Sequence, residues 1–80
     1  MLKIEFYGKI SDQFGPQREI SVAADGMSVQ QIVDMLASET GAETIKTANL
    51  RFALDEEIVP DTAIVKADQI LCVMSPFSGG

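Results

Sequence analysis

The chain of 80 residues contains no histidine, which removes the side chain that most often exchanges protons near neutral pH. Catalytic triads, imidazole metal sites and the HExxH motif go with it. A single cysteine, Cys72, excludes an intramolecular disulfide and every CxxC motif, which fits a reducing compartment. Six Lys+Arg stand against twelve Asp+Glu, a net charge of −6. With no basic cluster the electrostatic footprint of a nucleic-acid binder is missing, and the partner to expect is a neutral or basic protein. Neither GxxxxGK[ST] nor GxGxxG occurs, so any ATP used in this protein's chemistry must be bound by another chain. Nowhere do ~20 uncharged apolar residues follow one another, as a membrane span would need. The opening MLKIEFYGK has too short an apolar run for a signal peptide, so the expected location is cytoplasmic with no membrane partner.

What the chain does have is an ordinary globular composition, 46% hydrophobic and 22% charged. Its length supports one core and not two. The core is too small to be hollowed for a pocket of several hundred Å³, so an enzyme acting alone is not expected.

Leu2, Ile4 and Phe6 alternate with Lys3, Glu5 and Tyr7, the period of a strand with one buried face. Gly8 to Gly15 breaks it, and Arg18 to Ala23 resumes it with Ile20 and Val22 inward, predicting an antiparallel hairpin with a wide loop. Asp25-Gly26 then turns the chain. Ser28 and Gln31 have the spacing of a capping box at a helix start. Val29, Ile32, Val33 and Leu36 fall at i, i+3, i+4 and i+7, one apolar stripe, and Gly41 is placed to end the helix.

Residues 42–49 carry no period. Leu50, Phe52 and Leu54 alternate again, and Asp55-Glu56-Glu57 separates them from Ile58-Val59, predicting two short strands and an acidic turn. Three neighbouring carboxylates on a hairpin point in different directions, so a solvated turn is expected there and no metal site. Lys66 to Gln69 reads as a turn and Ile70 to Met74 as a final, central strand. Cys72, in that apolar run, reads as a buried small hydrophobe. The order is β-β-α-β-β-β, an α+β fold with one helix on one face of a mixed sheet.

The segment QILCVMSPFSGG, from Gln69 to Gly80, contains no charged side chain. Residues 1–74 therefore read as the domain and 75–80 as a flexible tail ending in Gly79-Gly80. Six residues extend about 20 Å, and glycine without a Cβ can thread a channel closed to other residues. The carboxylate of Gly80 becomes the candidate reactive group, and Gly79 its means of access. Pro76, Phe77 and Ser78 are candidate partner contacts, since an exposed aromatic gains burial only on docking. Tyr7, opposite in parity to Leu2, Ile4 and Phe6, belongs on the outer sheet face, and Ile58 on the acidic hairpin extends that patch.

The whole chain resembles the small, sulfur-carrying subunit of molybdopterin synthase. The resemblance is carried by MLKIEFYGKI, SVQQIVDMLA, ALDEEIV, the turn Ala67-Asp68-Gln69 where that family has Gly-Asp-Glu, and SPFSGG where it has Pro-Pro-x-x-Gly-Gly. An Asn usual in the hairpin is Asp55 here, and one extra residue separates Asp68 from Gly-Gly. Length and the proline-containing tail favour this branch over the shorter thiazole-synthesis carrier.

The resemblance implies a ubiquitin-like β-grasp fold and a non-catalytic cosubstrate in molybdenum cofactor biosynthesis. An E1-like enzyme would adenylate Gly80 with ATP, the carrier itself binding no cofactor. Sulfur would displace AMP to leave a thiocarboxylate, and the large synthase subunit would supply the catalytic residues. It further implies a heterotetramer with two copies of each subunit. A carrier for thiazole, cysteine or tRNA thiolation, a lysine-conjugated modifier, and a non-covalent interaction module remain open alternatives.

Overall fold

The protein is seen here as a computed structural model that describes residues 1–40 and 50–75. Strand β1 (Leu2–Tyr7) buries Leu2, Ile4 and Phe6 and turns Lys3, Glu5 and Tyr7 outward, as its alternation predicts. The expected wide loop after it is helical instead: a 3₁₀ turn over Gly8–Ile10 runs into the short helix α1 (Ser11–Phe14). Apolar burial decides this, because the helical turn brings Phe14 to stack on Phe6 with ring centroids 5.2 Å apart and buries Ile10.

Strand β2 (Gln17–Ile20) pairs antiparallel with β1, Leu2 opposite Ile20. It stops at Ile20, short of the predicted Ala23: its ladder with β1 ends at the Leu2–Ile20 pair, and the Met1 carbonyl accepts from Asp68 N at 3.2 Å. Val22 still packs against the core.

A two-residue strand β3 (Met27–Ser28) leads into the 12-residue helix α2 (Val29–Thr40). The capping box forms: Ser28 N donates to Gln31 Oε1 at 2.9 Å and Gln31 N to Ser28 Oγ at 3.1 Å. Two further first-turn amides find carbonyls in a distant loop, Val29 N on Ala63 O at 3.0 Å and Gln30 N on Asp61 O at 2.9 Å. Val29, Ile32, Val33 and Leu36 are all buried, joined by Ala37. Gly41, expected to end the helix, and residues 42–49 lie outside the described residues.

Strands β4 (Arg51–Leu54) and β5 (Glu57–Val59) form a tight hairpin. Its two-residue turn holds Asp55 at φ 49° and Glu56 at φ 74°, both left-handed as a type I′ turn requires, so Glu57 belongs to the strand. Strand β6 (Ile64–Val65), which has no sequence period of its own, pairs with β3. Gly26 lets them approach: a Cβ there would lie 2.7 Å from Val65 O.

Strand β7 (Ile70–Met74) runs parallel to β1 and antiparallel to β4, giving the sheet order β2-β1-β7-β4-β5. It is central, as expected. The core lies between this mixed sheet and α2, where Leu2, Ile4, Leu71 and Val73 meet Val29, Ile32 and Leu36. A sheet grasping one helix in the order β-β-α-β-β-β, with the small β3–β6 pair added, is the ubiquitin-like β-grasp.

Candidate functional site

Strand parity sends alternate residues of the three inner strands to the face away from α2. In β7 the inward residues Leu71 and Val73 are fully buried, so Ile70, Cys72 and Met74 face out. Register sets Cys72 between Glu5 of β1 and Ala53 of β4, with Ile58 of β5 beyond Ala53. Met74 stands between Tyr7 and Arg51. Ile58 is 69% exposed, Tyr7 51% and Ile70 41%, so this face presents an apolar stripe to solvent.

The expectation for Cys72 is corrected by this placement. An unbroken apolar run hides the alternation that would have shown it, and the outward parity of Tyr7 and Arg51 on the flanking strands was the signal for Ile70, Cys72 and Met74. Cys72 is half-buried, with its thiol 3.6 Å from Glu5 Oε1. Burial, and then the Glu5 carboxylate, push the thiol pKa up, away from the range of a reactive thiolate.

Glu5 is the polar hub of the stripe. The Tyr7 hydroxyl donates to Oε1 at 2.9 Å, and Lys3 Nζ stands 3.6 Å from Oε2. The Tyr7 hydrogen bond, first among several causes, lowers the Glu5 pKa, and the same bond raises that of Tyr7. Tyr7 is thereby fixed in orientation with its ring edge available to a partner.

At one end of β7 a polar clasp ties two turns together. Ile70 N donates to Asp55 Oδ1 at 3.0 Å and Gln69 Nε2 to Asp55 Oδ2 at 3.1 Å, while Lys66 N donates to Gln69 Oε1 at 2.7 Å. Both carboxylate oxygens accept, which an Asn side chain with one acceptor oxygen could not do. The departure from Asn at this position therefore has a structural use.

At the other end, Ser75 is held to the start of the molecule. Ser75 N donates to Tyr7 O at 3.0 Å, and its hydroxyl donates to Tyr7 O at 3.2 Å while accepting from Ile10 N at 3.2 Å. Pro76, Phe77, Ser78, Gly79 and Gly80 lie outside the described residues. Of the predicted contacts, the structure thus brings Tyr7 and Ile58 onto one face and adds Ile70, Cys72 and Met74 to them.

Beside Ile58 an open depression of about 190 Å³ is lined by Leu50, Phe52, Val59 and Pro60. Among the described residues, no three His, Cys, Asp or Glu side chains stand together as metal ligands, and no helix is long and apolar enough to cross a membrane. What the described residues offer chemically is an exposed apolar face and an anchored Ser75, and no constellation of acid, base and nucleophile stands among them.

The solved structure of SAMP1 from Haloferax volcanii superimposes with a TM-score of 0.76 at 15% identity, covering 99% of this chain and 98% of that one. No curated protein matches the sequence. The ThiS family profile matches residues 4–80, from the first strand through both final glycines. The chain thus belongs to the ThiS family of ubiquitin-like sulfur carriers.

Proposed function

We propose that this carrier serves molybdopterin synthesis, with the carboxylate of Gly80 as the sulfur-bearing group. The observation that carries the reading is the family match running to Gly80 over the full β-grasp. Pro76 in the tail and the length of 80 residues favour the molybdopterin branch, and the outer stripe of Tyr7, Ile58 and Ile70 supports docking on partner proteins.

A carboxylate is a poor acyl donor, because resonance stabilises it and oxide does not leave. In the proposed cycle an E1-like partner binds ATP, and the Gly80 carboxylate attacks its α-phosphorus, releasing pyrophosphate and forming an acyl adenylate. Sulfide adds to that carbonyl, AMP departs with the C–O bond pair, and loss of the thioacid proton leaves a thiocarboxylate. The loaded tail then enters the large synthase subunit, whose residues transfer sulfur to the pterin precursor. In that transfer the thiocarboxylate sulfur bonds to the precursor as a thioester, and water then cleaves the acyl C–S bond, leaving sulfur on the precursor and regenerating the Gly80 carboxylate. Gly79 and Gly80 lack the side chains that would obstruct such a channel. This chain's own part is to dock, to present Gly80 and to carry the atom.

Intact-mass measurement after incubation with host extract, ATP and a sulfur source, with fragmentation, tests the chemistry. The expected result is a sulfur-for-oxygen exchange confined to Gly80, followed by its loss when the large synthase subunit and pterin precursor are added. Exchange without that loss assigns the carrier to another thiolation pathway. Adducts on lysines of other proteins establish a modifier, and an unchanged carboxylate beside a converted control carrier leaves an interaction module.

A further inference from the structure

Ser75 follows the last residue of β7, where a serine would ordinarily be solvated and free. It is instead engaged through both its backbone amide and its hydroxyl. The amide, bonded to Tyr7 O, carries the parallel β1–β7 ladder one residue past Met74. The hydroxyl spends its single proton on Tyr7 O and accepts the amide of Ile10, 65 residues away in sequence. That amide lies where the 3₁₀ turn Gly8–Ile10 passes into α1, so the Ser75 hydroxyl holds this helical stretch from the far end of the chain.

Room for this arrangement comes from Gly8. Its φ of +84° is left-handed, and a Cβ there would collide with Ser75 Oγ and lie 3.0 Å from Ser75 O. Two residues of opposite ends are thus fitted to each other. Among the described residues the last buried apolar side chain of the core is Val73, two positions before Ser75.

We propose that Ser75 is a positioning residue for the carrier reaction, clamping the root of the C-terminal segment against Gly8–Ile10 so that the Gly80 carboxylate is presented from a fixed point. This rests on the carrier reading. With the clamp closed, Ser75 is already ordered before any partner binds, and five residues in sequence, 76–80, separate it from the end that carries the reactive atom. With the clamp open, the activating enzyme must also order Ser75, and fixing one residue's backbone lowers affinity on the order of five-fold. The cost falls on binding, so it enters KM. The bound tail and its chemistry are the same in both cases, so kcat stays.

The test compares the full chain with Ser75→Ala, Ser75→Thr and Gly8→Ala. Amide hydrogen exchange at Ile10 and the melting temperature are followed together with thiocarboxylate formation at Gly80, measured by intact mass against carrier concentration in host extract with ATP and a sulfur source. Expected for Ser75→Ala are faster exchange at Ile10 and a KM raised roughly five-fold at constant kcat, both restored in Ser75→Thr. Gly8→Ala, which displaces the hydroxyl without removing it, should give the same KM effect. If the wild-type chain is converted and Ser75→Ala shows an unchanged KM despite lost protection at Ile10, the positioning role is overturned while the carrier reading stands. A fall in kcat alone, or a KM effect that Thr does not rescue, also overturns it. A wild-type chain that stays unconverted beside a converted control carrier removes the carrier reading and this inference with it.

Discussion

The two faces of the central strand β7 are built from the same kind of residue and do opposite things. Leu71 and Val73 point toward α2 and are fully buried, whereas Ile70, Cys72 and Met74 point away and stay partly or largely exposed. Chemical type alone therefore does not separate stability from recognition. Coverage separates them, because a single helix of 12 residues can shield one face of a five-stranded sheet and no more. The inner face has already gained its burial on folding, and the outer face has that gain still available for a partner.

The strongest test of this contrast is a pair of truncations on neighbouring positions. Leu71→Ala should lower the free energy of unfolding by about 3 kcal/mol, as large-to-small changes in closed cores do. Ile70→Ala, one residue earlier, should change it by less than about 0.5 kcal/mol. Urea titration of the two variants reads the difference, and equal losses would mean that the outer face is packed in the free protein.

Recognition should show the reverse order. Tyr7→Ala combined with Ile58→Ala is expected to weaken binding to the activating partner about ten-fold, the effect of about 1.4 kcal/mol of lost contact. The melting temperature should hardly move. Calorimetric titration against the purified partner measures the first, and undiminished affinity would take the outer stripe out of the interface.

The hairpin that displays Ile58 can be relieved of backbone strain without touching either face. Glu56 sits at φ 74°, a conformation that glycine adopts without strain. Glu56→Gly, which gives the Asp-Gly pair favoured in type I′ turns, should stabilise the protein by about 0.5 to 1 kcal/mol in thermal unfolding. A loss of stability would contradict the turn geometry.

The smallest effects concern the titrating groups of the outer stripe. Cys72 has its pKa raised from 9.0 by burial and by Glu5, so iodoacetamide should modify the native protein slowly at neutral pH and faster as pH climbs past 9. Glu5→Gln removes the anion and should quicken the reaction slightly. A thiol that reacts only after denaturation would place Cys72 inside. For Glu5 the folded pKa lies below 4.5, so its ionised form favours the folded state. That contribution is present above about pH 4.5 and is lost as pH falls through the folded value. Glu5→Gln should therefore flatten the acid limb of a stability profile.

Local patterns carried most of the fold. The alternation from Leu2 to Tyr7, the capping box at Ser28 and Gln31, the stripe from Val29 to Leu36 and the hairpin about Asp55 all depend on neighbours within a few residues, and each stands where its pattern puts it. The α1 turn, the early end of β2 and the β3–β6 pair were not legible. Each is decided by a partner outside its own local pattern: Phe6 beneath Phe14, the ladder to β1 that ends at Leu2, and Val65 against Gly26. Tyr7 could be placed because Lys3 and Glu5 alternate with Leu2, Ile4 and Phe6 and set the parity of the strand, and Cys72 could not, because Leu71 and Val73 flank it.

Sequence by itself determined the family, the helix α2 with its buried stripe, and the candidacy of Gly79 and Gly80, since all of these are properties of residue identity and short-range spacing. Only the tertiary structure decided which side of β7 meets solvent, why Asp55 uses both its oxygens, and how Ser75 reaches Ile10. Hydrogen bonds and contacts between residues tens of positions apart exist only after the sheet has closed, and no local pattern encodes a partner that the fold itself must deliver.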